Sequence, residues 1–180
     1  MRELSLHILD IVGNSVRAGA TLITINITTV DNLLTIEIID NGHGMSKELL
    51  DTVCDPFTTS RTTRKVGMGI PLFKMACQCA GGQFTIDSTR NVGTTVKATF
   101  LVNHIDRAPL GDLVSTMITL ISEDIDYLLD YQVDDRRTIF DTRQVKQELG
   151  DIPIDSPEIL IYIKDLLTEN IITVNGGRNI

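Results

Sequence analysis

Apolar residues recur at three- and four-residue spacing from the start of the chain. Leu4, Ile8 and Ile11, with Ser15 on the same stripe, predict an amphipathic helix over residues 3–18, and Gly19 follows as its stop. At Leu22 the period changes to two. Ile23, Ile25 and Ile27 alternate with Thr24, Asn26 and Thr28 up to Val30, the turn pair Asp31-Asn32 follows, and Leu33 to Ile39 returns as the second strand of a hairpin. Ser46 is suited to cap a helix over Lys47 to Val53. Phe57 to Val66 is a polar segment with no strand or helix period, and Pro71 fits the first turn of a helix that Gly81-Gly82 ends. Gln83 to Ser88 and Thr94 to Val102 form a second hairpin, with Thr94, Val96, Ala98 and Phe100 on one face. Helix, hairpin, helix, loop, helix, hairpin is the element order of an α+β two-layer sandwich, an antiparallel-rich sheet with helices on one side.

The composition shifts at His104 to Pro109, which divides the chain into a domain over 1–103 and a small α+β C-terminal extension over 104–180. In the extension, Leu110 to Ser122 reads as a helix and Tyr127 to Val133 with Arg137 to Phe140 as a hairpin about Asp134-Asp135. Thr142 to Leu149 and Ser156 to Asn170 read as helices, the second with Ser156 at the cap and Pro157 at the first position. With 42% apolar and 22% charged residues among 180, the chain has the composition of a soluble globular protein. No apolar run approaches the ~20 residues that span a bilayer, and the N-terminus has no secretory layout, so no membrane association is expected. Cys54, Cys77 and Cys79 lack zinc-ligand spacing and read as reduced thiols, consistent with a cytoplasmic location. A net charge of −8 argues against nucleic acid as a partner, although Arg61, Arg64 and Lys65 reverse the sign locally.

Candidate chemistry lies in four short stretches. Asp10, Asn14 and Arg17 fall within roughly 60° of one another on the first helix, at 3.6 residues per turn. An exposed polar stripe accounts equally well for these three when they are taken alone. Asp40 stands where the second strand runs out, and Gly42 and Gly44 after it permit positive φ and close approach of a ligand. A carboxylate at the mouth of a strand, followed by exposed amides, can read the donor edge of a flat heterocycle; an ordinary capped turn is the alternative. Gly67 and Gly69 precede a helix, where backbone amides and the positive helix end can receive phosphate. Gly93-Thr94 opens the last strand of the hairpin. A phosphate loop of the GxxxxGK[ST] kind is absent from the sequence.

In this order the stretches resemble the N, G1, F, G2 and G3 boxes of the GHKL superfamily of Bergerat-fold, histidine-kinase-like ATP-binding proteins, over about residues 4–102. Asp10 to Asn14 looks like the N box, Asp40 to Met45 the G1 box, Asp55 to Arg61 the F box, Val66 to Ile70 the G2 box, and Gly93-Thr94 the G3 box. The resemblance implies a stand-alone Mg·ATP-binding domain. Asp40 would accept the adenine amine, with Thr94 beside it, while Asn14 would hold magnesium. Arg17, Gly42, Gly44, Met45, Thr59, Arg61, Arg64, Lys65, Val66, Gly67, Met68, Gly69 and Ile70 would surround the nucleotide. Asp10 would be the catalytic carboxylate. ATPases and serine-directed kinases of the superfamily usually carry glutamate at that position and histidine kinases often asparagine, so a serine-directed kinase or an ATPase is favoured over a histidine-directed one. Aspartate keeps the ability to act as a base but is one methylene shorter. His7 lies one turn before Asp10 on roughly the same side and is not expected to be a phosphoacceptor, while His43 and His104 read as incidental. The expected function is transfer of the γ-phosphoryl of ATP to a protein side chain or water. The alternative is a non-catalytic switch, in which ATP orders a lid over residues 57–66 and gates a protein partner.

Overall fold

The computed structural model describes residues 3–54 and 68–178. The expected N-terminal elements form: α1 (Leu4–Arg17), β1 (Leu22–Val30), β2 (Leu33–Asp40), α2 (Lys47–Thr52), α3 (Gly69–Cys79), β3 (Phe84–Thr89) and β4 (Gly93–Leu101). Each strand pair keeps the register that its alternation demands. Ile25 lies opposite Ile38 across the β1–β2 hairpin, and Ile38 lies opposite Val96 of β4. All three side chains are buried, whereas the odd-face residues Thr24, Glu37 and Lys97 remain at least partly exposed. One face of the sheet is therefore the core face. Leu4, Ile8 and Ile11 of α1 and Phe73 and Cys77 of α3 pack into the same core cluster.

The extension supplies α4 (Leu113–Leu120), β5 (Asp126–Val133), β6 (Arg136–Asp141), α5 (Thr142–Leu149) and α6 (Pro157–Asn175). Its strands do not start a second sheet. β5 runs parallel to β1, with Ile25 opposite Leu129, and the six strands lie in the order β3-β4-β2-β1-β5-β6. Tyr127, Leu129, Tyr131 and Val133 are buried on the shared core face, where Leu113 and Met117 of α4 and Ile163 and Leu167 of α6 also pack. The two-layer α+β sandwich thus extends over the whole described chain.

The largest boundary differences from the sequence reading are at two helices. The helix expected from Leu110 begins at Leu113, because Gly111 is at φ 80 and Asp112 acts as the cap by accepting from the Ser115 amide at 2.8 Å. The last helix continues past Asn170 to Asn175. Its β-branched end, Ile171 to Val174, is a weak helix former, but Ile171 and Val174 continue the buried stripe of Ile163 and Leu167. Burial outweighs propensity there.

His7 belongs to the core. It is 2% exposed and stacks on Phe73, with ring centroids 5.5 Å apart, while Asp10 one turn later is exposed. Burial pushes the imidazole below its usual range, more than the nearby Asp10 charge raises it. Between the unfolded value of about 6.5 and the lower folded value, the unfolded chain binds a proton that the folded chain refuses. Stability should therefore fall as the pH drops through that window. His7→Phe should lack this component, as urea midpoints of both proteins at pH 7.5 and 5.5 would show.

Candidate functional site

The site is built where the C-terminal end of β2 meets the last turns of α1. Asp40 is the last residue of β2, opposite Ile23 of β1 on one side and Thr94 of β4 on the other. It is 9% exposed, so its carboxylate needs partners. Oδ1 accepts from the Gly42 amide at 2.9 Å and the Thr94 amide at 3.2 Å, and Oδ2 accepts from the Ser15 hydroxyl at 2.6 Å. Helix, turn and last strand thus converge on one carboxylate.

The glycines after Asp40 are required by packing. A Cβ on Gly42 would lie 2.8 Å from Ala18 Cβ, so the turn passes directly against the end of α1. The His43 amide then donates to the Ala18 carbonyl at 2.9 Å, tying the turn to the helix. Gly44 is at φ 62, and a Cβ there would overlap the Thr89 carbonyl. Gly93, at φ 139, lies against the Asp40 carbonyl in the same way. The Met45 amide donates to Ser88 Oγ at 2.8 Å, and Ser88 Oγ is 2.9 Å from Thr94 Oγ1. Thr94 is on the core face with Val96, as its alternation requires, and is therefore beside Asp40.

Along α1, Asp10 is exposed, and Asn14 and Arg17 follow on the same side. The Arg17 guanidinium donates to Asn14 Oδ1 at 2.6 Å. Asn14 Oδ1 is an uncharged oxygen of the kind magnesium takes beside substrate phosphates, and the guanidinium must leave it before a cation can bind there. Among the described residues no cluster of three His, Cys, Asp or Glu side chains could hold a metal by itself. Gly69, first residue of α3, brings that helix onto Asp10: a Cβ at position 69 would stand 3.0 Å from Asp10 Cβ. Ile70 is buried and Met68 exposed at the same helix start.

The structure therefore gathers Asp10, Asn14, Arg17, Asp40, Gly42, Gly44, Met45, Gly69 and Thr94 around the junction of α1, β2, β4 and α3. Thr59, Arg61, Arg64, Lys65, Val66 and Gly67 fall outside the described residues, as does the segment expected to act as a lid. Two participants were missed in the sequence. Ser15 looked like part of the apolar stripe, and Ser88 like an ordinary strand residue. A hydroxyl on an otherwise apolar stripe, one residue after Asn14, was the available signal for the first. For the second, it was the hairpin register that sets Ser88 opposite Thr94.

A family model described as "Histidine kinase-, DNA gyrase B-, and HSP90-like ATPase" matches residues 2–104. The chain belongs to that ATPase family. Membership implies that the ATPase domain binds ATP. Among curated proteins, sporulation kinase D of Bacillus subtilis (strain 168) is 35% identical over 81 residues, 45% of this chain and 16% of the kinase. The non-motile and phage-resistance protein of Caulobacter vibrioides is 29% identical over 125 residues, 63% of this chain and 15% of that protein. The ATPase domain therefore corresponds to a small part of the length of these relatives. Among solved structures, the N-terminal domain of a DNA repair protein superposes with a TM-score of 0.54 at 15% identity, over 77% of this chain and 52% of that one. That likeness is one of fold and reaches into the extension. Among the described residues, no helix is long and apolar enough to cross a membrane.

Proposed function

We propose that the ATPase domain binds Mg·ATP between α1, α3 and the Asp40 end of the sheet, and transfers the γ-phosphoryl group to a protein side chain or to water. The reading is carried by Asp10. It is an exposed carboxylate on the helix that also bears Asn14 and Arg17, pressed against the start of α3. Among the described residues it accepts no hydrogen bond, so its lone pairs are available to a substrate proton. A structural carboxylate is more commonly spent on a cap or an ion pair, as Asp112 and Asp141 are.

In this reading Asp40 receives the adenine amine and sets the depth of the nucleotide. Asn14 holds magnesium, which supplies neutralisation of phosphate charge when bound. Arg17 exchanges its contact with Asn14 for a phosphate oxygen. Asp10 accepts the proton of the attacking hydroxyl or water as the new O–P bond forms and the bond from the γ-phosphorus to the bridging oxygen breaks. ADP carries away the electron pair of that bond. A carboxylate serves water or a serine hydroxyl in this way, so the acceptor is an alcohol or water rather than an imidazole.

Incubation with γ-labelled ATP and magnesium tests the proposal. Label should appear as inorganic phosphate or on a protein of a cell extract, and chelation of magnesium should abolish it. ATP that is bound yet never consumed under these conditions would leave a binding module and exclude the enzyme.

A further inference from the structure

We infer that Ser15 is a positioning residue that sets base selectivity by fixing the last free acceptor of Asp40. This rests on the reading of Asp40 as the adenine-facing group. An ionised carboxylate offers about four lone-pair positions and donates nothing. Three of those on Asp40 are occupied: the Gly42 and Thr94 amides fill Oδ1, and the Ser15 hydroxyl takes one position on Oδ2. One acceptor direction remains, on Oδ2, and the short 2.6 Å bond from Ser15 decides where it points. Both side chains are largely buried, with Ser15 3% and Asp40 9% exposed, so water does not easily replace Ser15 as the partner of Oδ2.

That single direction has a chemical consequence. A guanine edge presents two adjacent N–H donors, and a carboxylate reads them by using both oxygens as a fork. Oδ1 is full, so the fork is closed. A lone exocyclic amine needs only one acceptor, and the adenine amine is of that kind. A 6-oxo purine without the second amine, such as hypoxanthine, offers a ring N–H set back from the position of the amine. The anchored Oδ2 does not follow it.

The proton order beside Asp40 points the same way. Ser88 Oγ accepts from the Met45 amide and lies 3.0 Å from the Gly93 carbonyl, to which it donates. The Thr94 hydroxyl, 2.9 Å away, then donates to Ser88 and turns its lone pairs outward. Asp40 and Thr94 together show acceptors, a surface that matches an amine and repels a 6-oxo group.

Without Ser15, Oδ1 stays held by its two amides, but Oδ2 can pivot about it and follow a ring N–H. The effect should be on selectivity rather than on affinity alone. The test is the ratio of ITP to ATP dissociation constants, measured by calorimetry in magnesium for the whole chain. This ratio does not depend on the fraction of protein that is folded. Wild type should prefer ATP, and Ser15→Ala should narrow the preference by about tenfold, the scale of one hydrogen bond to a charged group. Ser15→Thr, which keeps the donor, should retain the wild-type ratio. Ser15→Cys, similar in size but a weak donor, should also narrow it and stands in if the alanine variant does not fold. A Ser15→Ala or Ser15→Cys ratio equal to wild type overturns the role of Ser15 and leaves the adenine site intact. A wild type that binds ATP and ITP equally, or neither, overturns the assignment of Asp40 and this inference with it.

Discussion

Asp10→Asn should bind ATP within a few-fold of wild type yet lose about 10²–10⁴-fold of its phosphate turnover or transfer, the usual cost of removing a positioned base. The reasons are geometric. Asp10 stands on the exposed side of α1, five residues before the Ser15 that bonds Asp40, and accepts no hydrogen bond among the described residues. The contacts proposed to bind nucleotide, from Asp40, Asn14 and Arg17, are untouched by the change. Asparagine is nearly isosteric, so the close approach of Gly69 to the Asp10 Cβ is also kept. Turnover and binding should therefore separate, by single-turnover assays with labelled ATP alongside calorimetry. Equal turnover in both proteins would show that Asp10 is only part of a solvated helix face.

Asp40→Asn should do the opposite and weaken ATP by roughly tenfold or more, from a charge-assisted bond worth about 1.5–3 kcal/mol. An amide has one acceptor atom where the carboxylate has two. With its oxygen left under the Gly42 and Thr94 amides, the NH₂ group takes the place of Oδ2 and faces the adenine amine donor to donor. Flipped, it turns those hydrogens onto the two backbone amides instead. Either arrangement leaves a buried donor without a partner, which is the costlier half of a lost hydrogen bond. Calorimetric titration with ATP measures the loss, and undiminished affinity would remove Asp40 from the nucleotide site.

Much of the fold was legible because its hydrophobic periods are unambiguous. Ile23, Ile25 and Ile27 can only alternate, and Leu4, Ile8 and Ile11 can only share a helix face. The place of Asp40 at the end of a buried strand was legible too, although an acid before two glycines fits an ordinary capped turn as well, and only the order of the four stretches singled it out. The parallel partnership of β1 with β5 was not legible. Alternation in Tyr127 to Val133 says that one face is buried, but it does not name the neighbouring strand about 100 residues earlier, where the pairing is decided. His7 and Ser15 show the same limit within one helix. Spacing placed His7 with Asp10 and Ser15 with the core, and it took the packing of Phe73 and the position of Asp40 to show what each one meets.

The strand order also has a consequence for how the chain comes to be folded. β1 is among the first segments synthesised, yet one of its two edges stays open until β5 arrives to hydrogen-bond along it from Leu22 to Thr29. Until then the emerging sheet exposes an unpaired edge of nine residues that no charged residue interrupts, the kind of edge that recruits other strands. Closing it requires a long-range contact, and such contacts form late because the intervening loop must first be ordered. The extension thus serves the ATPase domain as a built-in edge protector: what looks like an appendage in the sequence is the segment that ends its exposure to aggregation.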